Sequence, residues 1–159
     1  MTAGEAYEKA VVEQKRLPEL EYLVLQDAYY AFYYAKNVIK ERWCKAEPII
    51  MQDAYLAYKY ACDVIKGRWS EAEPTIMQFP LYTYRYALNI IKGRWLEAEP
   101  IIAKSNLVIP YIRDFFDEPV VTKDKVDIIE WERKKQVGYF APARLFKNKV
   151  SLLDIMVIE

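Results

Sequence analysis

The 159-residue sequence contains no histidine, and this absence removes more chemistry than any other feature of its composition. Without an imidazole, Ser-His and Cys-His nucleophilic catalysis cannot be built within this chain, nor can histidine-based acid-base chemistry near neutrality. The two cysteines, Cys44 and Cys62, are too few for a disulfide framework and form no recognisable metal constellation. They read as reduced structural or surface thiols, and neither a metal nor another cofactor is expected. No apolar run approaches the roughly 18 residues of a membrane-spanning helix, so no membrane partner is expected. The stretch Met1-Thr2-Ala3-Gly4-Glu5-Ala6 lacks the basic and apolar regions of a signal peptide, which points to a cytoplasmic location. Net charge is also missing, because 23 Lys and Arg balance 23 Asp and Glu. No global field draws the chain to nucleic acid or anionic lipid, so electrostatic recognition has to come from the arrangement of charges.

What is present is apolar and aromatic. Hydrophobic residues make up 53% of the chain and 14 tyrosines raise the aromatic share, which places it among globular rather than disordered sequences. Its length suits one domain with a sizeable core, or one domain and a small appendage.

An internal repeat organises most of the chain. Residues 26–51, QDAYYAFYYAKNVIKERWCKAEPIIM, align without a gap to 52–77 and to 78–103, a period of 26. Arg16-Leu17-Pro18-Glu19-Leu20-Glu21 reads as a worn copy of Arg-Trp-x-Glu-Ala-Glu, so residues 1–25 are expected to form a degenerate amino-terminal capping repeat. Tyr111-Ile112-Arg113-Asp114-Phe115-Phe116 echoes Tyr-Ala-x-x-Val-Ile with one inserted residue, and 104–116 is expected to be a partial further copy.

With positions counted from the Gln of each copy, apolar residues fall at 3, 6, 7, 10, 13 and 14, the spacing of one helical face. In the first copy these are Ala28, Ala31, Phe32, Ala35, Val38 and Ile39. Asp27 and Asp53 stand where N-caps are wanted, and Gly67 and Gly93 where a helix end needs a left-handed residue. A helix A of about three turns is predicted, followed by a shorter helix B with Ser70 and Glu73 in capping-box register and a proline in its first turn. Such a pair cannot hide its apolar face alone and must stack on its neighbours. The predicted fold is therefore mainly α, a short α-solenoid of 26-residue helix-pair repeats. From Asp117 onward β-branched residues become frequent, and 117–159 is expected to be a small C-terminal capping module of mixed α/β character. Candidate strands lie at 126–128, 138–140 and 150–158, although residues 123–136 read equally well as a helix.

The wording Tyr-Ala-x-x-Val-Ile-Lys-Gly-Arg-Trp-x-Glu-Ala-Glu-Pro-x-Ile resembles a short tandem helical repeat of phage and bacterial proteins of mostly unassigned function. The period lies well below the ~34 residues of a tetratricopeptide repeat. The resemblance implies the helical fold and a phage or bacterial setting, with the host cytoplasm as the location of a phage-encoded chain. It brings no catalytic residue. Glu41 and Lys45 depart from the pattern in the first copy, where the others have Gly and Glu.

Trp43, Trp69 and Trp95 do not vary between copies, nor do Tyr34, Tyr60 and Tyr86, and both sets are assigned to packing between stacked units. Arg42, Arg68 and Arg94 each have a glutamate five residues on, which predicts salt bridging. Positions 5, 8 and 12 fall opposite the apolar face at about 100° per residue. They carry Tyr30, Tyr33 and Asn37, then Leu56, Lys59 and Asp63, then Tyr82, Arg85 and Asn89. A candidate basic ladder of Lys40, Lys66 and Lys92 runs beside them. Exposed Tyr beside Arg is the composition of interface hot spots, so Tyr30, Tyr33, Lys59, Tyr82 and Arg85 are the candidate partner-binding residues. The favoured reading is a protein-protein interaction module, and in a phage setting an inhibitor of a host or defence protein. The alternative is a nucleic-acid-binding repeat protein that uses the Tyr, Lys and Arg ladder. No catalytic residue is assigned, since no carboxylate pair or nucleophile stands out from its copies.

Overall fold

The computed structural model describes residues 1–115, and all regular structure among them is helical. The expected capping module at 117–159, with its candidate strands, lies outside the described residues. The chain divides into two compact units, Met1–Ile91 and Lys92–Glu159.

The first unit opens with α1 (Ala3–Val12), started by a capping box in which Thr2 accepts the Glu5 N–H and Glu5 accepts the Thr2 N–H. Helix A follows three times, as α3 (Ala28–Tyr34), α5 (Ala54–Tyr60) and α7 (Pro80–Tyr86). Asp27 caps α3 through the N–H groups of Tyr29 and Tyr30, and Asp53 caps α5 through that of Leu56. In the third copy Phe79 offers no side-chain cap, and Pro80 enters the first turn, where a missing N–H costs nothing.

Each helix A then widens into a five-residue π-helical turn, at Ala35–Ile39, Ala61–Ile65 and Ala87–Ile91. The turn ends on a lysine, not on the glycine that the sequence suggests. Lys40 and Lys66 adopt the left-handed conformation at φ 61° and 57°. The φ of Gly67 lies outside that region, and a Cβ added there would meet nothing within 4 Å. Glu41 therefore replaces the turn glycine in the first copy without strain. The π turn closes on this lysine, as where the Lys40 N–H donates to the Ala35 carbonyl five residues back at 2.7 Å.

Helix B is a single turn, as α2 (Glu21–Val24), α4 (Glu47–Ile50) and α6 (Glu73–Ile76). Pro48 and Pro74 sit in its first turn as expected. The capping box expected of Ser70 and Glu73 does not form, because the N-cap is Ala72 and the Glu73 carboxylate is held by Arg68.

Small side chains set the spacing of the core. Ala31, Ala35, Ala57, Ala61, Thr83 and Ala87, at positions 6 and 10, are all fully buried. Thr83 keeps the same bulk class by turning its hydroxyl onto the carbonyls of Ile76 and Phe79, at 3.1 and 2.9 Å. Helix B contributes Ile50 and Ile76, also fully buried, each worth about 1.5–3 kcal/mol on removal from water.

The second unit repeats the helix B wording. A 3-10 turn at Leu96–Ala98 leads into α8 (Glu99–Ala103), and α9 (Val108–Phe115) follows. Ile102, Val108, Ile109, Tyr111 and Ile112 are buried.

Candidate interaction surface

The invariant residues form one joint, seen again and again at a spacing of 17. The hydroxyl of Tyr60 accepts the buried backbone N–H of Trp43 at 2.7 Å, and that of Tyr86 accepts the N–H of Trp69 at 2.6 Å. The same hydroxyls lie 3.4 and 3.2 Å from the Oε1 atoms of Glu47 and Glu73. Each glutamate is gripped at both oxygens by the arginine five residues before it. Arg42 Nε and Nη2 reach Glu47 at 2.6 and 3.0 Å, and Arg68 reaches Glu73 at 2.6 and 3.1 Å. The indoles pack on the tyrosine of their own copy, Tyr34 on Trp43 at 5.2 Å and Tyr60 on Trp69 at 5.1 Å between centroids.

The worn copy makes the joint too. Leu17 N–H donates to Tyr34 at 2.8 Å, and Arg16 pairs with Glu21. In the second unit Trp95 N–H donates to Tyr111 at 2.6 Å, and Arg94 grips Glu99 at 2.7 and 2.9 Å. The separation there is 16 residues, so this copy is one residue shorter than the others rather than one longer as the sequence suggests. Burial pushes Tyr60 and Tyr111 up to about 12 and raises Tyr34 and Tyr86 as well, while the N–H donated to each hydroxyl pulls the other way.

The stripe opposite the core is not the one expected. Position 5 turns sideways, towards the preceding helix, while at position 12 Asn37 and Asn89 stay exposed as expected and bond across to that helix. Tyr30 is half-buried with its ring 6.0 Å from Tyr7 of α1, and Leu56 at the same position is only 7% exposed. Tyr82 stacks on Tyr58 at 6.2 Å and lies 5.7 Å from Tyr55. At position 12, Asn37 donates to the Tyr7 hydroxyl at 2.8 Å and Asn89 to the Tyr58 hydroxyl at 2.9 Å, while Asp63 accepts from Lys36 at 2.8 Å. Gly4 makes room for this packing, because a Cβ there would approach the Tyr30 ring to 2.9 Å. The preceding helix displaces the face, because Tyr7 of α1 and Tyr58 of α5 cover the flanks of α3 and α7 on which Tyr30 and Tyr82 lie.

Within helix A, position 4 carries a large apolar side chain open to solvent in every copy. Tyr29 is 51% exposed, Tyr55 41% and Leu81 42%, with Phe79 beside them at 52%. Sequence reasoning missed this row because it borders the apolar face on an ideal wheel. The identity of the side chains was the available signal, since all three are large and apolar. Positions 8 and 11 continue the row along the helix, with Tyr33 and Lys36, Lys59 and Cys62, and Arg85 and Leu88. Of the five candidate residues, Arg85 is exposed, Tyr33 and Lys59 are half-buried on this stripe, and Tyr30 and Tyr82 brace its flank. Tyr33 lies 4.6 Å from Tyr29, and Lys59 pairs with Asp63 at 3.1 Å. Burial raises the Asp63 carboxyl, but Lys36 and Lys59 outweigh it and hold the group below its usual range.

Charge is segregated between the two helices. Residues 28–40, 54–66 and 80–91, which form helix A, carry five basic side chains and one acidic. Residues 41–53 and 67–79, which form helix B and its flanks, carry five acidic and three basic. Lys40 and Lys66 are exposed at the helix A ends, as is Lys92 in the second unit.

Cys44 is exposed and Cys62 half-buried, both free. Among the described residues no group of three or more Cys, Asp or Glu is placed to hold a metal, and no helix is long and apolar enough to cross a membrane. In comparisons with known proteins, no family model, no curated protein and no solved structure matches the chain.

Proposed function

We propose that this chain is a short α-solenoid of helix-pair repeats that binds another protein along the exposed stripe of its helices A. The observation that carries the reading is the row Tyr29, Tyr55 and Leu81, three large apolar side chains at one repeat position with 41–51% exposure. The tyrosine rings make partial contacts, as Tyr29 does with Tyr33 at 4.6 Å, yet the row leaves large apolar surface in solvent, and interfaces are enriched in tyrosine and arginine anchors. Recurrence of one joint through the copies supports the solenoid, an architecture whose binding surface grows with each unit. The resemblance of the repeat to phage and bacterial sequences supports a host or defence protein as the target, with the chain as its inhibitor.

The segregated basic residues favour a second reading, nucleic-acid binding by a Tyr, Lys and Arg ladder. One experiment separates the two. The immobilised full chain and its Tyr29→Ala/Tyr55→Ala/Leu81→Ala variant are exposed to bacterial lysate, with and without nuclease. A nuclease-resistant protein retained by the parent and lost by the folded variant is the expected result. Retention of the same protein by both chains removes the stripe as the site, and a nuclease-sensitive association decides for nucleic acid.

A further inference from the structure

Resting on the protein-binding reading, we propose that the partner segment is acidic, a stretch of polypeptide with carboxylates interspersed among aromatic or aliphatic anchors. The stripe has two zones. Tyr29, Tyr55 and Leu81 form an apolar row in the first turns of α3, α5 and α7, and basic residues follow towards the helix ends. The state of those cations is the telling feature. On the helix B side Arg42 and Arg68 are clamped to Glu47 and Glu73. On the helix A side the carboxylates of Asp27 and Asp53 cap the helix starts, and Asp63 is already satisfied by Lys36 and Lys59. Lys40, Lys66 and Arg85 make no ion pair among the described residues. The cations left unpaired in this unit thus include Arg85, four residues on from the exposed Leu81, and Lys40 and Lys66 at the carboxyl ends of the helices whose first turns carry Tyr29 and Tyr55. Complementarity asks for carboxylates opposite them and for apolar side chains on the row.

The test is selection of a displayed library of random peptides on the full-length chain. Enriched peptides are expected to be net acidic with aromatic or leucine anchors. Their affinity should fall about tenfold or more in Lys66→Glu/Arg85→Glu and in Tyr55→Ala, and by less in the neutral Lys66→Asn/Arg85→Gln, whose Asn suits the left-handed backbone. Circular dichroism confirms that each variant is folded. Failure to enrich any peptide, enrichment of neutral or basic peptides, or indifference to charge reversal overturns the proposal. So does a single-stranded oligonucleotide that binds the stripe more tightly than every selected peptide. A lysate protein whose capture needs Tyr29, Tyr55 and Leu81 but ignores charge reversal sinks this inference alone; absence of any stripe-dependent protein capture sinks the protein-binding reading with it.

Discussion

At each joint one tyrosine hydroxyl accepts a buried backbone N–H and faces a buried carboxylate, so its oxygen has no cheap replacement. Tyr60→Phe leaves the Trp43 N–H without an acceptor and should cost about 1–3 kcal/mol in a urea titration. Tyr55→Phe removes an exposed hydroxyl and should cost under about 0.5 kcal/mol. Equal losses would show that the joint is not the anchor. Ionisation gives an independent check. These phenols have folded values above their ordinary value of 10, about 12 for Tyr60 and Tyr111, so the folded state holds the proton more tightly than the unfolded one. Their contribution is complete below pH 10 and is lost as pH rises through about 12. Alkaline unfolding should therefore begin near pH 10 and coincide with tyrosinate absorbance, and the Tyr60→Phe variant should lose part of that dependence. The Arg-Glu half of the joint was legible from a five-residue spacing. The Tyr-Trp half was legible only as ring packing between copies, with solvent and a backbone partner both open to the hydroxyl, because its partners lie 17 residues apart in different copies.

The helix termini show what a propensity rule misses. A glycine after a helical run usually marks the left-handed residue, yet Lys66 takes that conformation and Gly67 does not. Gly67→Ala should therefore be neutral, or stabilising by up to about 1 kcal/mol, since it narrows only the unfolded ensemble. Lys66→Gly relieves a left-handed strain of about 1–2 kcal/mol against an entropic cost of about 0.5–1 kcal/mol, and should raise the denaturant midpoint. A destabilising Gly67→Ala would restore the glycine to the turn. At position 5 Tyr30 and Tyr82 are drawn into the flank by Tyr7 and Tyr58 of the preceding helices, which leaves position 4 as the open edge. Helix existence, the Asp27 and Asp53 caps and the proline-led helix B followed from local pattern, and the rotation of each helix about its axis did not.

Among the described residues each joint links successive copies, and the proposed solenoid predicts near-independence. Tyr34→Phe and Tyr86→Phe act on different joints of the first unit and share no partner, so their losses should add within about 0.5 kcal/mol. Hydrogen exchange should quicken only in the copies flanking the altered joint. A shared, chain-wide loosening from either change would argue for a single indivisible core. Trp69→Ala, which empties a site 1% exposed between Tyr60 and the Tyr86 hydroxyl, should cost about 3–5 kcal/mol.

The sequence by itself determined the helical class, the 26-residue period, the invariant Trp, Tyr, Arg and Glu of the joint, and the exclusion of histidine chemistry. Those are properties of residue identity and spacing, and they survive any rotation of the elements. Tertiary structure alone decided which tyrosines are braced against a neighbour and which face solvent, because that depends on how each helix is turned against the one before it. Tyr30 and Tyr82 were drawn into the flank by Tyr7 and Tyr58, and Tyr29 and Tyr55 were left outside. Which cations are neutralised was decided there as well, since Lys36 meets Asp63 across 27 positions of sequence while Arg85, four residues from the exposed Leu81, meets no carboxylate among the described residues. The exposed surface is what remains after copies pack, and no single copy contains that information.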